Sequence, residues 1–204
     1  MVVVAHVLGT GGVSRPILAA GRCGALAVPV ISFVGRSEAG KTTLLEKVIG
    51  ELKRRGYRVA TIKHDAHGFD LDRPGKDSWR HAQAGSDIVV LASPTRVAMI
   101  ARTPEEADLE TIVAALPFPV DIVLTEGFKR EHAPKIEVLR GECQTGVSSP
   151  PSELLALATD RPLTDVNVPQ YDLDDVAGLV DLLEQELRAR GGHGSTSETA
   201  PVAP

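Results

Sequence analysis

The chain has 204 residues, with 22 Lys and Arg against 27 Asp and Glu, for a formal net charge of −5. That acidic balance excludes the basic field that broad nucleic-acid binding requires, and no apolar run reaches the roughly 18 residues of a membrane span. At 43% hydrophobic but only 3% aromatic, the chain is expected to build an aliphatic core, at a length that suits one α/β domain.

Taken in order, Met1 to Ala27 is rich in Gly, Ala and Val, and its basic residues, Arg15 and Arg22, come late. A secretory signal starts basic and then turns apolar, so residues 1–28 are expected to be a flexible extension. The "GTGG" at Gly9–Gly12 lacks the Lys-Ser/Thr that a phosphate loop needs. Val30–Val34 is a short apolar run before a glycine loop and predicts a buried strand. From Lys41 the period changes, with Leu44, Leu45, Val48, Ile49 and Leu52 at helical spacing and Gly56 as a stop. Tyr57–His64 predicts a second strand, and "KDSWRHAQAG" a short helix. "DIVVLA" (Asp87–Ala92) and "RVAMIAR" (Arg96–Arg102) are separated by too few residues for a parallel crossover, so an antiparallel hairpin is expected. "PEEADLETIVAAL" predicts a helix with acidic residues in its first turn. "PVDIVLTEG", "PKIEVLR" and "LLALATD" predict three more strands. In Asp172–Arg190, Val176, Leu179, Val180, Leu183 and Leu187 form one helical stripe. Gly191–Pro204 is a low-complexity tail expected to be disordered.

Alternating buried strands and helices imply an α/β fold, a mostly parallel sheet with helices on both faces and an antiparallel hairpin added. Residues 29–190 form the expected domain. Ligands of such sheets bind at the carboxyl ends of the strands. Three polar clusters fall there: Gly35–Thr43, Lys63–Asp65 and Thr125–Lys129.

Gly35-Arg36-Ser37-Glu38-Ala39-Gly40-Lys41-Thr42 satisfies G-x-x-x-x-G-K-[ST] in full, between a predicted strand and a predicted helix. Glycines there let consecutive backbone N–H groups turn toward phosphate oxygens, and the helix start adds its positive dipole end. Lys41 is expected to reach the β- and γ-phosphates, Thr42 to offer its hydroxyl to Mg²⁺, and Thr43 to meet the α-phosphate. A carboxylate at a neighbouring strand end normally completes the magnesium side. Glu126 and Asp65 both qualify, as metal-side groups or as the group that orients an attacking water. Asp121 starts its strand and belongs at the far end. His64 and His67 lack a third ligand for zinc. With Lys63, Arg80 and Lys129 they are better suited to anionic ligand groups, although the stem of Arg80 can equally pack on the surface. Cys23 and Cys143 stand far apart without a C-x-x-C, so neither a zinc site nor a disulfide framework is expected, and a reduced cytoplasmic setting fits.

Together, "GRSEAGKTTLLEKVI", "TIKHDAHGFDLDRPGKDSWRHAQAG" and "DIVLTEGFKREHAPKIEV" resemble the molybdopterin-guanine dinucleotide biosynthesis protein B family, MobB, over roughly Val30 to Arg190. The first block is shared with countless nucleotide-binding proteins; the other two are far more specific. The resemblance implies a homodimeric GTP-binding P-loop protein that hydrolyses GTP weakly with Mg²⁺. It also implies a partner, the guanylyltransferase that attaches GMP to molybdenum-bound molybdopterin. Carried onto this sequence, Gly35, Gly40, Lys41 and Thr42 take the triphosphate, and Asp65 and Glu126 take the metal side. Lys63, His64 and Arg80 then contact the anionic pterin phosphate or sulfate-like ions. Two departures stand out. There is no N-K-x-D to read guanine, leaving Asp160 of "ATD" as either a substitute or a plain loop residue. Position 36 is Arg, where some related NTPases carry a lysine that acts across a dimer.

The alternative from another class is a P-loop small-molecule kinase, with Arg73, Lys76 and Arg80 as its lid. Those residues follow the second strand, and no base for an acceptor hydroxyl is evident. A nickel-loading GTPase needs a ligand set that the cysteines and scattered histidines do not supply. A binding module without hydrolysis is the third alternative.

Overall fold

A computed structural model describes residues 2–6, 28–65, 68–69, 71–141 and 146–190. The expected tail at 191–204, most of the expected extension at 1–28, His67, Cys23 and Cys143 lie outside the described residues. In chain order the elements are β1 (Val2–His6), β2 (Val30–Val34), α1 (Lys41–Arg54), β3 (Val59–Lys63), α2 (Asp77–Gln83), β4 (Ile88–Ala92) and β5 (Val97–Arg102). They continue with α3 (Leu109–Ala114), β6 (Ile122–Glu126), β7 (Lys135–Leu139), β8 (Leu154–Thr159), β9 (Gln170–Tyr171) and α4 (Val176–Ala189). These elements fall into two compact units.

The larger unit, within 26–64 and 119–204, holds a six-stranded sheet in the order β3-β6-β2-β7-β8-β9. Every pairing in it is parallel. Its inner strands β6, β2, β7 and β8 are buried on both faces, as in other parallel sheets, while the edge strands β3 and β9 are partly exposed. Along one face Ile31 and Phe33, Ile122 and Leu124, Ile136 and Val138, and Ala156 and Ala158 alternate into a single core. Against them pack Leu44, Leu45, Val48 and Leu52 of α1 and Leu179, Val180, Leu183 and Leu187 of α4. Each such aliphatic side chain taken from water stabilises the fold by about 1.5–3 kcal/mol. The C-terminal end of α1 is tied to α4 by Arg55, whose Nη1 donates to Asp181 Oδ1 at 2.6 Å while its Nε donates to Glu51 Oε1 at 2.8 Å.

The opposite face carries buried polar groups, each with a partner. Thr125 Oγ1 donates to Ser32 Oγ at 2.9 Å. Lys135 Nζ donates to the Glu131 carbonyl at 2.6 Å and pairs with the Glu153 carboxylate. Glu137 accepts from Ser148 N at 2.9 Å, Ser148 Oγ at 2.6 Å and Ser149 N at 2.8 Å. Burial pushes the Glu137 carboxyl up, but those donors together outweigh it and hold it below its ordinary value.

The smaller unit takes β1 and the described residues of 65–118. Its sheet runs β1-β5-β4, with β1 parallel to β5 and β4 antiparallel to it, so the expected hairpin is present. Helix α2 follows the short-helix expectation. Helix α3 is shorter than the 104–116 pattern predicts. Asp108, in extended conformation, accepts from Thr111 N at 2.7 Å and sets the start of the helix there. A side-chain cap of this kind fixes where a helix begins, so Glu105 and Glu106 precede the helix instead of filling its first turn. The two residues of β9 are too few for any periodic signal and were not expected.

Candidate functional site

The parallel register of the larger sheet brings Phe33, Glu126 and Lys63 to one level at the carboxyl ends of β2, β6 and β3. Above that level the loop Gly35–Gly40 turns into α1. Gly35 adopts φ +143, and a Cβ on it would come closer than 3.0 Å to the Val138 carbonyl oxygen of β7. The loop thus seats against the neighbouring strand only because residue 35 has no side chain. Glu38 adopts φ +64, a conformation costly to a non-glycine residue and concentrated at functional loops.

Helix α1 starts without the device that closes α3 and α4. Asp108 and Asp175 cap those two helices with their side chains. The N-cap of α1 is Gly40, which has no side-chain cap, and no acidic residue sits in the first turn. Among the described residues no side-chain cap closes that turn, and its helix end is positive.

Around this turn Ser37, Glu38, Gly40, Lys41, Thr42, Thr43, Lys63, Glu126 and Arg140 line a cavity of about 450 Å³. Two geometric facts organise it. Thr42 Oγ1 donates to Glu126, at 2.9 Å from Oε1 and 3.0 Å from Oε2. Lys41 Nζ donates back to the Arg36 carbonyl at 2.6 Å, which holds the ammonium over the loop. Lys63 Nζ lies 3.9 Å from Glu126 Oε1. Burial pulls the Lys41 pKa down, Glu126 opposes that pull, and the charges of Lys129 and Lys63 add to it. Lys63 and Lys129 therefore stand close enough to Lys41 to repel its charge, an arrangement suited to a polyanion.

The fit of a divalent cation can be judged from the donors. Thr42 and Glu126 supply hard oxygens side by side, which suits Mg²⁺ when phosphate oxygens and waters fill its remaining positions. Among the described residues no group of three or more His, Cys, Asp or Glu could hold a metal without such help.

The other expected residues are placed as follows. The His64 ring lies 4.9 Å from the Phe128 ring at 50°, and its backbone N–H donates to the Glu126 carbonyl at 2.9 Å. His64 thus packs the base of the β6 turn. Asp121 accepts from the Arg58 backbone N–H at 2.6 Å and from its guanidinium at 2.7 Å, at the amino end of β6. Asp160 accepts the Gly141 N–H on both carboxylate oxygens, at 3.1 and 3.2 Å. Asp65 and Arg80 belong to the smaller unit. There Arg80 Nη1 lies 3.8 Å from exposed Asp77, one turn back on α2. Arg140 lines the cavity although no sequence motif marks it; its only signal is that it is the basic residue ending the predicted strand "PKIEVLR".

The family model described as "Molybdopterin guanine dinucleotide synthesis protein B" (MobB) matches residues 30–160. The chain is 38% identical over 161 residues to a molybdopterin-guanine dinucleotide biosynthesis adapter protein of Haemophilus influenzae, covering 78% of this chain and 90% of that one. It is 37% identical over 174 residues to the Escherichia coli protein of the same name, covering 81% and 97%. Among solved structures it is similar to molybdopterin-guanine biosynthesis protein B, with a TM-score of 0.62 at 30% identity and coverage of 78% and 99%. It is also similar to Bacillus subtilis MobB, with a TM-score of 0.64 at 25% identity and coverage of 77% and 97%. Among the described residues no helix is long and apolar enough to cross a membrane.

Proposed function

The chain belongs to the MobB family, and from that premise we propose that it is a GTP-binding adapter in molybdenum cofactor maturation. In this reading it hydrolyses GTP weakly and assists the guanylyltransferase that converts molybdopterin to its guanine dinucleotide form. It works in the cytoplasm as a homodimer. The names of its relatives support the pathway. The observation that carries the nucleotide reading is the Thr42–Glu126 pair, set inside a cavity whose remaining charged lining is mostly cationic.

The residues divide the work by position. The open first turn of α1 and the loop before it hold the phosphate chain through backbone N–H groups. Lys41 reaches the β- and γ-phosphates, and a polyanion beside it restores the proton affinity that burial and the neighbouring lysines reduce. Thr42 and Glu126 would hold Mg²⁺, which when bound neutralises charge on the terminal phosphates. Lys63 and Lys129 stand at the same strand ends and receive further anionic groups, the pterin phosphate among them. Glu126, at its strand end beside Thr42, is also the carboxylate we assign to orienting a water.

The deciding experiment is reconstitution. A purified guanylyltransferase is supplied with molybdenum-bound molybdopterin and saturating GTP, with and without this protein. Formation of the dinucleotide cofactor should rise with the protein present, and Lys41→Ala should remove the rise. Equal product formation in all three reactions would sink the adapter reading.

A further inference from the structure

The cavity has two flanks, and only one is accounted for above. The P-loop strand β2 lies between β6 and β7 in the sheet. Thr42, Glu126 and Lys63 occupy the β6 side. On the β7 side stands Arg140, the first residue beyond that strand, exposed and lining the cavity. Its guanidinium reaches the rim of the phosphate loop: Nη1 would lie 3.5 Å from a Cβ placed on Gly40, the N-cap of α1. The turn that carries it is pinned, because both oxygens of Asp160 at the end of the neighbouring strand accept the Gly141 N–H. The charge of Arg140 also helps to hold the Asp174 carboxyl below its ordinary value, after the larger effect of the hydrogen bond from Lys47. A guanidinium fork beside an uncapped helix start is well matched to phosphate oxygens.

The order of a bound nucleotide follows from the same flanks. A lysine and a metal ion hold the β- and γ-phosphates in a loop of this kind, and here Lys41 and the Thr42–Glu126 pair that would hold the metal lie on the β6 side. Of the cations that line the cavity, Arg140 is the one left on the β7 side for the phosphate nearest the nucleoside. We propose that Arg140 binds the α-phosphate of the nucleotide and that Asp160 positions it, an assignment that rests on the nucleotide reading above. Asp160 then acts on the nucleotide through a backbone turn and an arginine, not by reading a base.

The test is a titration of the full chain with GTP and with GDP in the presence of Mg²⁺, for wild type, Arg140→Ala, Arg140→Lys and Asp160→Asn. Arg140→Ala should weaken both nucleotides by about ten- to hundredfold, the worth of a charged hydrogen bond, and leave the ratio of GTP to GDP affinity unchanged. Arg140→Lys should fall between, because it keeps the charge and loses the fork. Asp160→Asn should weaken binding in the wild-type background and add nothing on top of Arg140→Ala, a non-additivity that a merely structural role would not produce. Arg140 is exposed, so unchanged thermal melting of its variants separates binding from folding. Wild-type affinity in Arg140→Ala, or a loss confined to GTP, overturns the assignment. Failure of the wild-type chain to bind either nucleotide would remove the underlying reading, and the assignment with it.

Discussion

Replacing Gly35 by alanine isolates the seating of the phosphate loop against β7. The added Cβ would penetrate the Val138 carbonyl oxygen and stand 3.4 Å from the carbonyl carbon and 3.5 Å from the Val138 nitrogen. All three are backbone atoms within a buried strand, so no flexible side chain can yield. The φ of +143 adds a second penalty, since L residues rarely adopt it. Backbone strain of this kind costs about 1–3 kcal/mol, and forced displacement in a packed interior costs about 1–3 kcal/mol more. A loss of roughly 2–6 kcal/mol follows, against a typical total of about 5–15 kcal/mol. For a chain of this size each kcal/mol lowers the melting temperature by about 2–4 °C. Gly56 supplies the control. It has φ +91 but nothing within 4 Å of its would-be Cβ, so Gly56→Ala carries strain without collision, about 1–2 kcal/mol. Thermal unfolding followed by circular dichroism should place Gly35→Ala below Gly56→Ala by roughly 3–10 °C. Triphosphate binding should be lost only in Gly35→Ala. Equal melting shifts in the two variants would refute the claim that β7 is what demands glycine at position 35.

Two further outcomes are expected. Thr42→Val removes the hydroxyl that faces Glu126 while keeping its shape. The gain in triphosphate affinity on adding Mg²⁺ should shrink by about tenfold or more, the scale of a charged contact, and a Mg²⁺ dependence equal to wild type would exclude Thr42 from the metal side. Glu51 is held at about 2 by hydrogen bonds from Arg54 and Arg55, below the ordinary 4.5. A depressed carboxyl stabilises the fold above its unfolded value and loses that contribution as it becomes protonated. Glu51→Gln should therefore flatten the fall in melting temperature as pH drops from 4.5 toward 2, and an unchanged slope would show that this carboxylate is not depressed.

The parts of this molecule that were legible in its sequence share one property, a signal carried by consecutive residues. Apolar runs that stop at glycine mark β2 and β6, an apolar run between prolines marks β8, and the spacing of Leu44, Val48 and Leu52 marks α1. The four residues between β4 and β5 leave room only for a hairpin. Thr42 and Glu126 are legible one at a time, through a loop pattern and a carboxylate at a strand end. Their 2.9 Å contact depends on β2 lying beside β6, with Phe33 level with Glu126. The start of α3 was misplaced because acidic residues near a helix start can sit inside the first turn or cap it, and only the conformation of Asp108 decides. Arg140 was not legible. It belongs to no motif, and it reaches the loop only because β7, the third strand after β2 in sequence within the larger unit, pairs with β2. Strand order is a property of long-range packing, so a side chain whose role depends on it leaves no local trace.

Bulk charge misleads here for the same reason. The chain as a whole is acidic, with a net charge of −5, yet Lys41, Lys63, Lys129 and Arg140 converge at the carboxyl ends of four strands or just beyond them. Within the described lining of the cavity the acidic members are Glu38 and Glu126. The latter is already shared between Thr42 and Lys63. Neutralising this excess with protein carboxylates would stabilise the empty fold, and α3 and α4 show that the chain has aspartates to spare at helix starts. Leaving α1 uncapped keeps its N–H groups and the surrounding cations available to an incoming polyanion. A cleft of one sign in an otherwise oppositely charged surface concentrates such ligands locally. A polyanion bound there relieves the repulsion among these cations, which adds to burial in lowering the Lys41 pKa.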